Sequence, residues 1–373
     1  MIGRGPRSDS DALHVRARAM VRAFEGGMPM PESFDALAVD LARFQARTVP
    51  GYSRLCAARG VDPARMVCAG DAPAVPSDAF KLARVFAFGE ADAAVTFRTS
   101  GTSLGARGVH FMRDVGTYDA AALAFGRAML AGGLTAPVPV IVIGPSAEEA
   151  PDSSLAHMCT VFVSALAPDV AHQTYFVRGG SLDIDGLRAR VAGLAHPGPA
   201  LILATSFALV HALDALGGQR LAMPAGSRVM QTGGFKGKSR EVVPGDLRRD
   251  VARAFGVPER AVIGEYGMTE LSSQFWEATL IDDGARHGVY RAPPWARVVA
   301  VDPETLASLP QGMVGIARIE DLANVDSAFA VLTQDRVRSL DGGFELLGRA
   351  EGAPPRGCSL ALDEMLSSAE GHT

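Results

Sequence analysis

The chain has 373 residues, 48% of them apolar and 21% charged, so it is long enough to bury one large core or about two ordinary ones. Its formal net charge of −5, with no block of like charge, argues against a nucleic acid or an anionic membrane as partner. No apolar leader, no apolar stretch of about 18 residues and no C-x-x-C spacing occurs, so we expect a cytoplasmic protein with reduced thiols.

The N-terminal region of the chain has a helical pattern. Apolar residues recur at three- and four-residue spacing over 11–24 and 34–47, and Gly26-Gly27 and Pro50-Gly51 follow these stretches. We assign residues 1–85 to an N-terminal helical portion of the core.

From about Pro137 the pattern changes to short apolar strands that alternate with helices. Such alternation predicts an α/β fold whose mostly parallel sheet is covered on both faces. The predicted strands are 138–143, 201–204, 228–231 and 261–264, and the predicted helices are 207–216 and 246–255.

After Tyr290 the helical pattern fades and short strands alternate with Gly- and Asp-containing turns, which predicts an antiparallel sheet or small barrel. These strands are 297–301, 314–319, 329–333 and 344–347. We assign 86–350 to the main core and 351–373 to a hinge and short tail, because the Gly-Ala-Pro-Pro-Arg-Gly stretch at 352–357 is typical of a linker.

The run from Val95 to Gly105 is the most informative segment. Glycines let backbone amides approach an anion closely, and Ser and Thr add uncharged hydroxyl donors. Nucleotide phosphates are the leading hypothesis for its ligand, and a polar surface turn is the alternative. The candidate phosphate-binding residues are Thr99, Ser100, Gly101, Thr102, Ser103 and Gly105.

A second motif, residues 264–270, begins at the end of a predicted apolar strand, where open α/β sheets bind their ligands. The ring of Tyr266 can stack on a base, the hydroxyl of Thr269 can meet a phosphate, and the carboxylate of Glu270 can hold Mg²⁺. The alternative is a strand-end turn with a buried tyrosine and a solvated glutamate. Together the two motifs favour complementary halves of one nucleotide site.

The glycine-rich run 231–239 is similar to a Walker A loop, but Thr232 stands where that pattern requires a glycine. Gly233 and Gly234 still allow the backbone to approach a base or ribose closely. Lys236 and Lys238 either offset phosphate charge or are solvated surface lysines.

Two later residues complete the candidate set. The Asp335 carboxylate can accept both ribose hydroxyls, and the Arg349 guanidinium can pair with a phosphate. Without further context they are equally compatible with a turn aspartate and a surface arginine.

In this order the motifs resemble those of the adenylate-forming superfamily of acyl-CoA ligases, luciferases and peptide-synthetase adenylation domains. Residues 99–105 match its phosphate loop, and Tyr266-Gly267-Met268-Thr269-Glu270 matches its Y-G-x-[TS]-E motif. Within the superfamily the chain looks most like the LuxE-like acyl-protein synthetases of luminescence fatty-acid reductase complexes. The segments 97–102, 232–238 and 356–360 carry that resemblance.

The resemblance implies the large adenylate-forming domain and a reaction in which MgATP activates a carboxylic acid to an acyl-adenylate, followed by acyl transfer to a thiol. It implies that residues 99–103 hold the β- and γ-phosphates and that Gly233, Gly234 and Tyr266 frame adenine. It further implies Thr269 at the α-phosphate, Glu270 at Mg²⁺, Asp335 at the ribose and Arg349 at the hinge.

The resemblance also implies an acyl-carrying cysteine near the C-terminus, where Cys358 stands. A thiolate is a competent nucleophile towards a mixed anhydride. Because Cys358 follows Pro354-Pro355-Arg356-Gly357, we expect it on a mobile tail with a pKa lowered by Arg356. A free cysteine without a role is the alternative, and the other three cysteines are expected to be core-like by comparison.

Typical superfamily members continue past the Gly-Arg hinge into a smaller lid domain whose lysine contacts the reacting carboxylate. This sequence ends soon after Cys358, so we expect most of that domain to be lacking. Either Lys236 or Lys238 takes the lysine's place, or a partner protein supplies it, or adenylation proceeds slowly; we favour a lysine of the 233–238 loop.

Three functions remain open. The first is an acyl-protein synthetase that acts on a fatty or other apolar acid, with a reductase or carrier as acceptor. The second is a carboxylate–CoA ligase resembling phenylacetate-CoA ligases. The third is a non-catalytic acyl- or nucleotide-binding subunit.

Overall fold

We analysed a computed structural model, which describes residues 5–99, 106–135, 137–167, 173–194, 198–233, 243–350 and 355–366. The chain forms two compact units. The first unit comprises 1–124, 268–274 and 292–373, and the second comprises 125–267 and 275–291.

In chain order, the helices of the described residues are α1 (Pro6–Glu25), α2 (Phe34–Thr48), α3 (Pro50–Ala58), α4 (Ala79–Leu82), α5 (Gly116–Met129), α6 (Ser154–Leu166), α7 (Ile184–Ala192), α8 (Ser206–Leu216), α9 (Pro244–Phe255) and α10 (Arg356–Leu366). The strands are β1 (Val75–Pro76), β2 (Val95–Arg98), β3 (Val109–Met112), β4 (Val140–Ile143), β5 (Val177–Arg178), β6 (Ser181–Leu182), β7 (Leu201–Thr205), β8 (Arg228–Thr232), β9 (Val262–Tyr266), β10 (Phe275–Glu277), β11 (Val289–Arg291), β12 (Ala296–Val301), β13 (Val314–Asp321), β14 (Ala330–Leu340) and β15 (Gly343–Arg349).

The second unit is built on a mixed sheet. Strands β4, β7, β8 and β9 pair in parallel in that order, and β10 and β11 continue the sheet antiparallel from β9. Strands β4 and β7 are almost entirely apolar and buried, and β9 is fully buried, as expected for strands covered on both faces. Their side chains and those of α7, α8 and α9 form one hydrophobic core.

Local sequence fixes the ends of the helices beside this sheet. Thr205 caps α8 by accepting a hydrogen bond from the amide of Ala208, and Gly217 ends it in the left-handed conformation with φ of 57°. Gly256 ends α9 in the same way. Each helix therefore stops within a residue or two of its predicted boundary.

The first unit contains an antiparallel sheet of β12, β13, β14 and β15, with β1 parallel to β14. The short hairpin of β2 and β3 lies in the same unit. Helices α1, α2 and α3 pack on one another, and α10 packs on α3, β1 and β14.

The predicted α/β fold class is confirmed, with β4, β7, β8 and β9 parallel and β12, β13, β14 and β15 antiparallel. The pattern missed α10, which lies within the stretch predicted as hinge and tail. Among the residues that the structure describes, no helix combines the length and apolarity needed to cross a membrane.

Candidate active site

Two of the predicted adenine-binding residues, Gly233 and Tyr266, lie at the ends of neighbouring strands of the second unit. Thr232 at the end of β8 is paired in register with Glu265 near the end of β9, so Gly233 and Tyr266 lie at the same edge of the sheet. Tyr266 is 9% exposed, and its ring contacts those of Phe275 and Tyr290 at centroid distances of 5.8 and 6.1 Å. The tyrosine is thus held by aromatic packing, and Gly233 has a φ of 73° that favours glycine.

Residues 268–274, which follow Tyr266 and Gly267, belong to the first unit. Two side chains from other segments of this unit hydrogen-bond to their backbone. His110 on β3 lies with its Nδ1 2.7 Å from the main-chain oxygen of Thr269. Asn324 donates its side-chain amide to the main-chain oxygen of Glu270 at 2.8 Å. Two consecutive carbonyls are therefore fixed by side chains that are remote in sequence.

A buried aspartate holds the next turn of this segment. The Asp321 carboxylate accepts from the amides of Ser272 and Ser273 at 2.9 and 2.8 Å and from the Ser273 hydroxyl at 2.7 Å. Burial raises its pKa, and these hydrogen bonds partly offset that effect. The backbone that carries Thr269 and Glu270 is thereby preorganised, and Glu270 itself is mostly buried.

The predicted phosphate segment begins at the end of β2. The hydroxyl of Thr99 accepts a hydrogen bond from the amide of Gly108 at 2.8 Å, and the Thr99 amide donates to the Gly108 carbonyl at 2.9 Å. A Cβ on Gly108 would lie 2.9 Å from the Thr99 methyl group, so only glycine fits there. Thr99 and Gly108 therefore extend the pairing of β2 and β3 by one residue towards the loop. Ser100, Gly101, Thr102, Ser103 and Gly105 lie outside the described residues.

Because His110 is on the return strand of this hairpin, its hydrogen bond to Thr269 joins the two motif-bearing segments within the first unit. His110, Asn324 and Asp321 were not predicted from the sequence. Nothing in the local pattern distinguishes them, since their partners lie dozens to more than a hundred residues away.

The two late candidates meet across a strand pair. Asp335 on β14 lies directly opposite Arg349 on β15. The Arg349 guanidinium donates to the side-chain oxygen of Gln334 at 3.1 Å. The strand register therefore places the two residues opposite each other within the first unit. Gly234, Lys236 and Lys238 fall outside the described residues.

Cys358 does not lie on a free tail. It belongs to the first turn of α10, is 4% exposed, and has its Sγ 3.9 Å from the main-chain oxygen of Thr333. It lines a cavity of about 210 Å³ together with Asp78, Leu332 and Gln334.

The expectation that Arg356 lowers the pKa of Cys358 is wrong. Burial, with Asp78 nearby, raises the pKa of this thiol to about 11. The contrast drawn with the other cysteines is also wrong, because Cys56 and Cys159 are buried like Cys358 whereas Cys68 is partly exposed. The linker-like composition of residues 352–357 does not indicate that the thiol is buried or that α10 packs against the rest of the first unit.

A buried carboxyl lies beside the adenine candidates. Glu265 is 5% exposed and accepts a hydrogen bond from the hydroxyl of Thr232. Burial raises its pKa to about 7, partly offset by that bond. The group is therefore poised between its neutral and charged forms near neutral pH.

On the opposite face of β9, a fully buried Glu277 carboxylate accepts from Arg248 at 2.8 and 3.1 Å and from the amides of Gly264 and Gly288 at 2.8 and 2.5 Å. His287 lies 3.1 Å away. Although burial acts to raise the pKa of Glu277, these partners lower it overall. A Cβ on Gly264 would lie 2.8 Å from this carboxyl group, so the close approach requires glycine.

Comparison with known proteins shows to which family the chain belongs. The family model of the acyl-protein synthetase LuxE matches residues 31–367. The chain belongs to the LuxE acyl-protein synthetase family. This membership confirms the resemblance found in the motifs. No curated protein sequence with significant similarity was found.

Solved structures support the fold of this LuxE-family chain. ATP-bound MatB from Rhodopseudomonas palustris is similar with a TM-score of 0.51 at 16% identity, over 70% of this chain and 49% of MatB. A 2-hydroxyisobutyryl-CoA ligase in complex with 2-HIB-AMP and CoA is similar with a TM-score of 0.61 at 15% identity, over 84% of this chain and 68% of the ligase. The chain thus spans about half the length of MatB, and the likeness confirms the adenylate-forming fold.

Proposed function

We propose that this protein activates a carboxylic acid with ATP and passes the acyl group to a thiol. A carboxylate oxygen attacks the α-phosphorus, an O–P bond forms, and the bond to the β-phosphate oxygen breaks to release pyrophosphate. A thiolate then attacks the acyl carbon, and AMP leaves with the oxygen that came from the acid. Family membership, together with a Thr269–Glu270 backbone that is fixed before any ligand binds, carries the proposal.

In this proposal residues 99–103 and Gly105 bind the β- and γ-phosphates, and Thr269 binds the α-phosphate. Gly233, Gly234, Tyr266 and Gly267 border adenine, which is supported by the position of Gly233 and Tyr266 at one sheet edge. Asp335 accepts hydrogen bonds from the ribose hydroxyls. Its neighbour Arg349 either pairs with a phosphate or lies at the hinge position.

The candidate site residues are compatible with a magnesium ion that binds together with the nucleotide phosphates. Within the described residues no group of three His, Cys, Asp or Glu side chains forms a metal site of its own. Mg²⁺ usually takes one or two carboxylates and completes its shell with phosphate oxygens and water, so Glu270 alone suffices on the protein side. When bound, the ion neutralises phosphate charge in the reaction.

We propose Cys358 or a thiol of a partner reductase or carrier as the acyl acceptor. The family description, acyl-protein synthetase, supports a protein as the acceptor. Cys358 would serve only after α10 leaves its docked position, since its thiol is buried and protonated near neutral pH. This burial also supports the second candidate, a CoA ligase, in which an external thiol accepts the acyl group and Cys358 has no role.

The remaining assignments are proposals of the same kind. Lys236 or Lys238 contacts the reacting carboxylate in place of the lid-domain lysine. The acid is fatty or otherwise apolar. The functional divisions of the chain are the helical portion 1–85, the core 86–350, and the hinge and tail 351–373. Four free cysteines support a cytoplasmic location.

ATP–pyrophosphate exchange with a panel of carboxylic acids tests the proposal. We expect exchange that depends on the acid and that falls by at least about a hundredfold in Glu270→Gln. Glu259→Gln, an exposed glutamate of the second unit, serves as the control and keeps full exchange. ATP binding without exchange for any acid would instead support a non-catalytic binding subunit.

A further inference from the structure

His110 is the side chain that joins the phosphate-segment hairpin to the Thr269–Glu270 segment. It is 2% exposed and lies on β3, paired across the hairpin with Phe97 on β2, the strand that leads through Thr99 into Ser100. Its Nδ1 lies 2.7 Å from the main-chain oxygen of Thr269. All of these residues belong to the first unit.

The chemistry of this contact fixes the state of the imidazole. A carbonyl oxygen only accepts hydrogen bonds, so Nδ1 must carry the proton and donate it. Burial lowers the pKa of His110 to about 4, and the bond to Thr269 only partly opposes that shift. The ring is therefore neutral and in one tautomer at neutral pH, and it orients its partner without adding charge.

We infer that His110 is a positioning residue of the nucleotide site, which holds the Thr269 carbonyl and thereby aims the Thr269 and Glu270 side chains relative to the hairpin that leads into residues 100–105. The inference rests on the proposed function, and it assigns His110 no contact with the reacting atoms. Displacements of about 1 Å at a reacting centre cost up to about a hundredfold in rate, so a lost anchor here has a measurable effect.

A purely structural role is the competing explanation, because the ring also packs edge-on against Phe80 at a centroid distance of 5.6 Å. Two substitutions separate the roles. His110→Phe keeps an aromatic ring and removes the donor, whereas His110→Asn places an amide N–H near the position of Nδ1. Met112→Ala is the matched control, since Met112 is buried on the same face of β3 as His110.

The experiment measures kcat and KM for MgATP in pyrophosphate exchange, together with Tm, in the full chain and the three variants. We expect His110→Phe to lower kcat/KM for MgATP by at least about tenfold, with KM for the acid within about twofold of the original. His110→Asn should recover most of the loss. Met112→Ala should lower Tm while its kcat/KM stays within about threefold. Equal losses in His110→Phe and Met112→Ala, or no recovery in His110→Asn, would overturn the inference.

Hydrogen–deuterium exchange of the peptide that covers 266–274 tests the same inference without activity. We expect faster exchange there in His110→Phe than in the original protein, His110→Asn or Met112→Ala. Unchanged exchange in His110→Phe would reject the positioning role even if the protein activates no acid. Absence of pyrophosphate exchange in the original protein, with the expected deuterium pattern, would reject the proposed function alone.

Discussion

The Sγ of Cys358 lies 3.9 Å from the main-chain oxygen of Thr333, and this 4% exposed residue lines a cavity together with Leu332 and Gln334 of β14. Helix α10 holds it there, with Arg54 donating to the main-chain oxygen of Met365 at 2.7 Å and Arg59 paired with Glu364. Acyl transfer to Cys358 therefore requires α10 to leave its site.

Substitution of Gly357 by alanine should release Cys358. A Cβ at Gly357 would lie 2.6 Å from the Leu306 side chain and 2.9 Å from the main-chain oxygen of Pro303, so α10 must shift. We expect labelling of Cys358 by iodoacetamide at pH 8 to be slow in the original protein and at least about tenfold faster in Gly357→Ala.

Cys68 is the internal control for that experiment, because it is partly exposed and far along the chain from α10. Its labelling rate should be the same in both proteins. Equal labelling of Cys358 in the two proteins would show that α10 does not sequester the thiol.

Cys358→Ser should distinguish the two proposed acceptors. If Cys358 carries the acyl group, this substitution abolishes the thioester adduct seen by intact mass spectrometry while pyrophosphate exchange stays within about threefold, because the thiol acts only in the second step. If CoA is the acceptor, CoA thioester formation continues undiminished in the variant. The buried Cys159→Ser is the control and should keep the adduct.

Glu265 should make stability fall as pH rises. Burial raises its pKa in the folded state to about 7 from the ordinary value of 4.5, so its contribution is complete below about pH 4.5 and is lost as pH rises through 7. The loss between pH 5 and pH 8 should be smaller in Glu265→Gln by on the order of 2–3 kcal/mol.

Urea unfolding of the original protein and the variant at both pH values measures that difference. The exposed Glu259→Gln should match the original protein at each pH. Identical pH dependence in Glu265→Gln and the original protein would mean that Glu265 titrates near its ordinary value.

Removal of the Glu277 charge should destabilise the protein strongly. Glu277→Ala leaves the nearly buried Arg248 guanidinium and the amides of Gly264 and Gly288 without their acceptor, which costs about 3–5 kcal/mol in the free energy of unfolding. The neighbouring exposed pair Arg249–Asp246 provides the control, and Asp246→Ala should cost less than about 1 kcal/mol. Similar losses from both substitutions, measured by urea unfolding, would contradict this.

Much of the fold could be predicted because short-range pattern determines it. Uninterrupted apolar runs predicted β4 and β7, and helix-ending glycines such as Gly217 predicted where the helix that follows β7 ends. The position of Tyr266 at a strand end also followed from the pattern.

The features that could not be predicted depend on long-range contacts. His110 and Asn324 act through single hydrogen bonds to carbonyls distant in sequence, and their own neighbourhoods do not mark them. The tail was predicted to be mobile from its prolines and glycines. Gly357 instead allows close packing against Leu306, which local composition does not reveal.

Isotope transfer from the acid is the most direct test of acyl-adenylate formation. The protein is incubated with ATP, a carboxylic acid that supports exchange and carries ¹⁸O in its carboxylate, and hydroxylamine as acceptor. We predict one ¹⁸O atom in the phosphate of AMP, because the carboxylate oxygen bonds to the α-phosphorus and stays there when the acyl carbon is attacked. Appearance of the ¹⁸O in inorganic phosphate together with ADP would contradict the account.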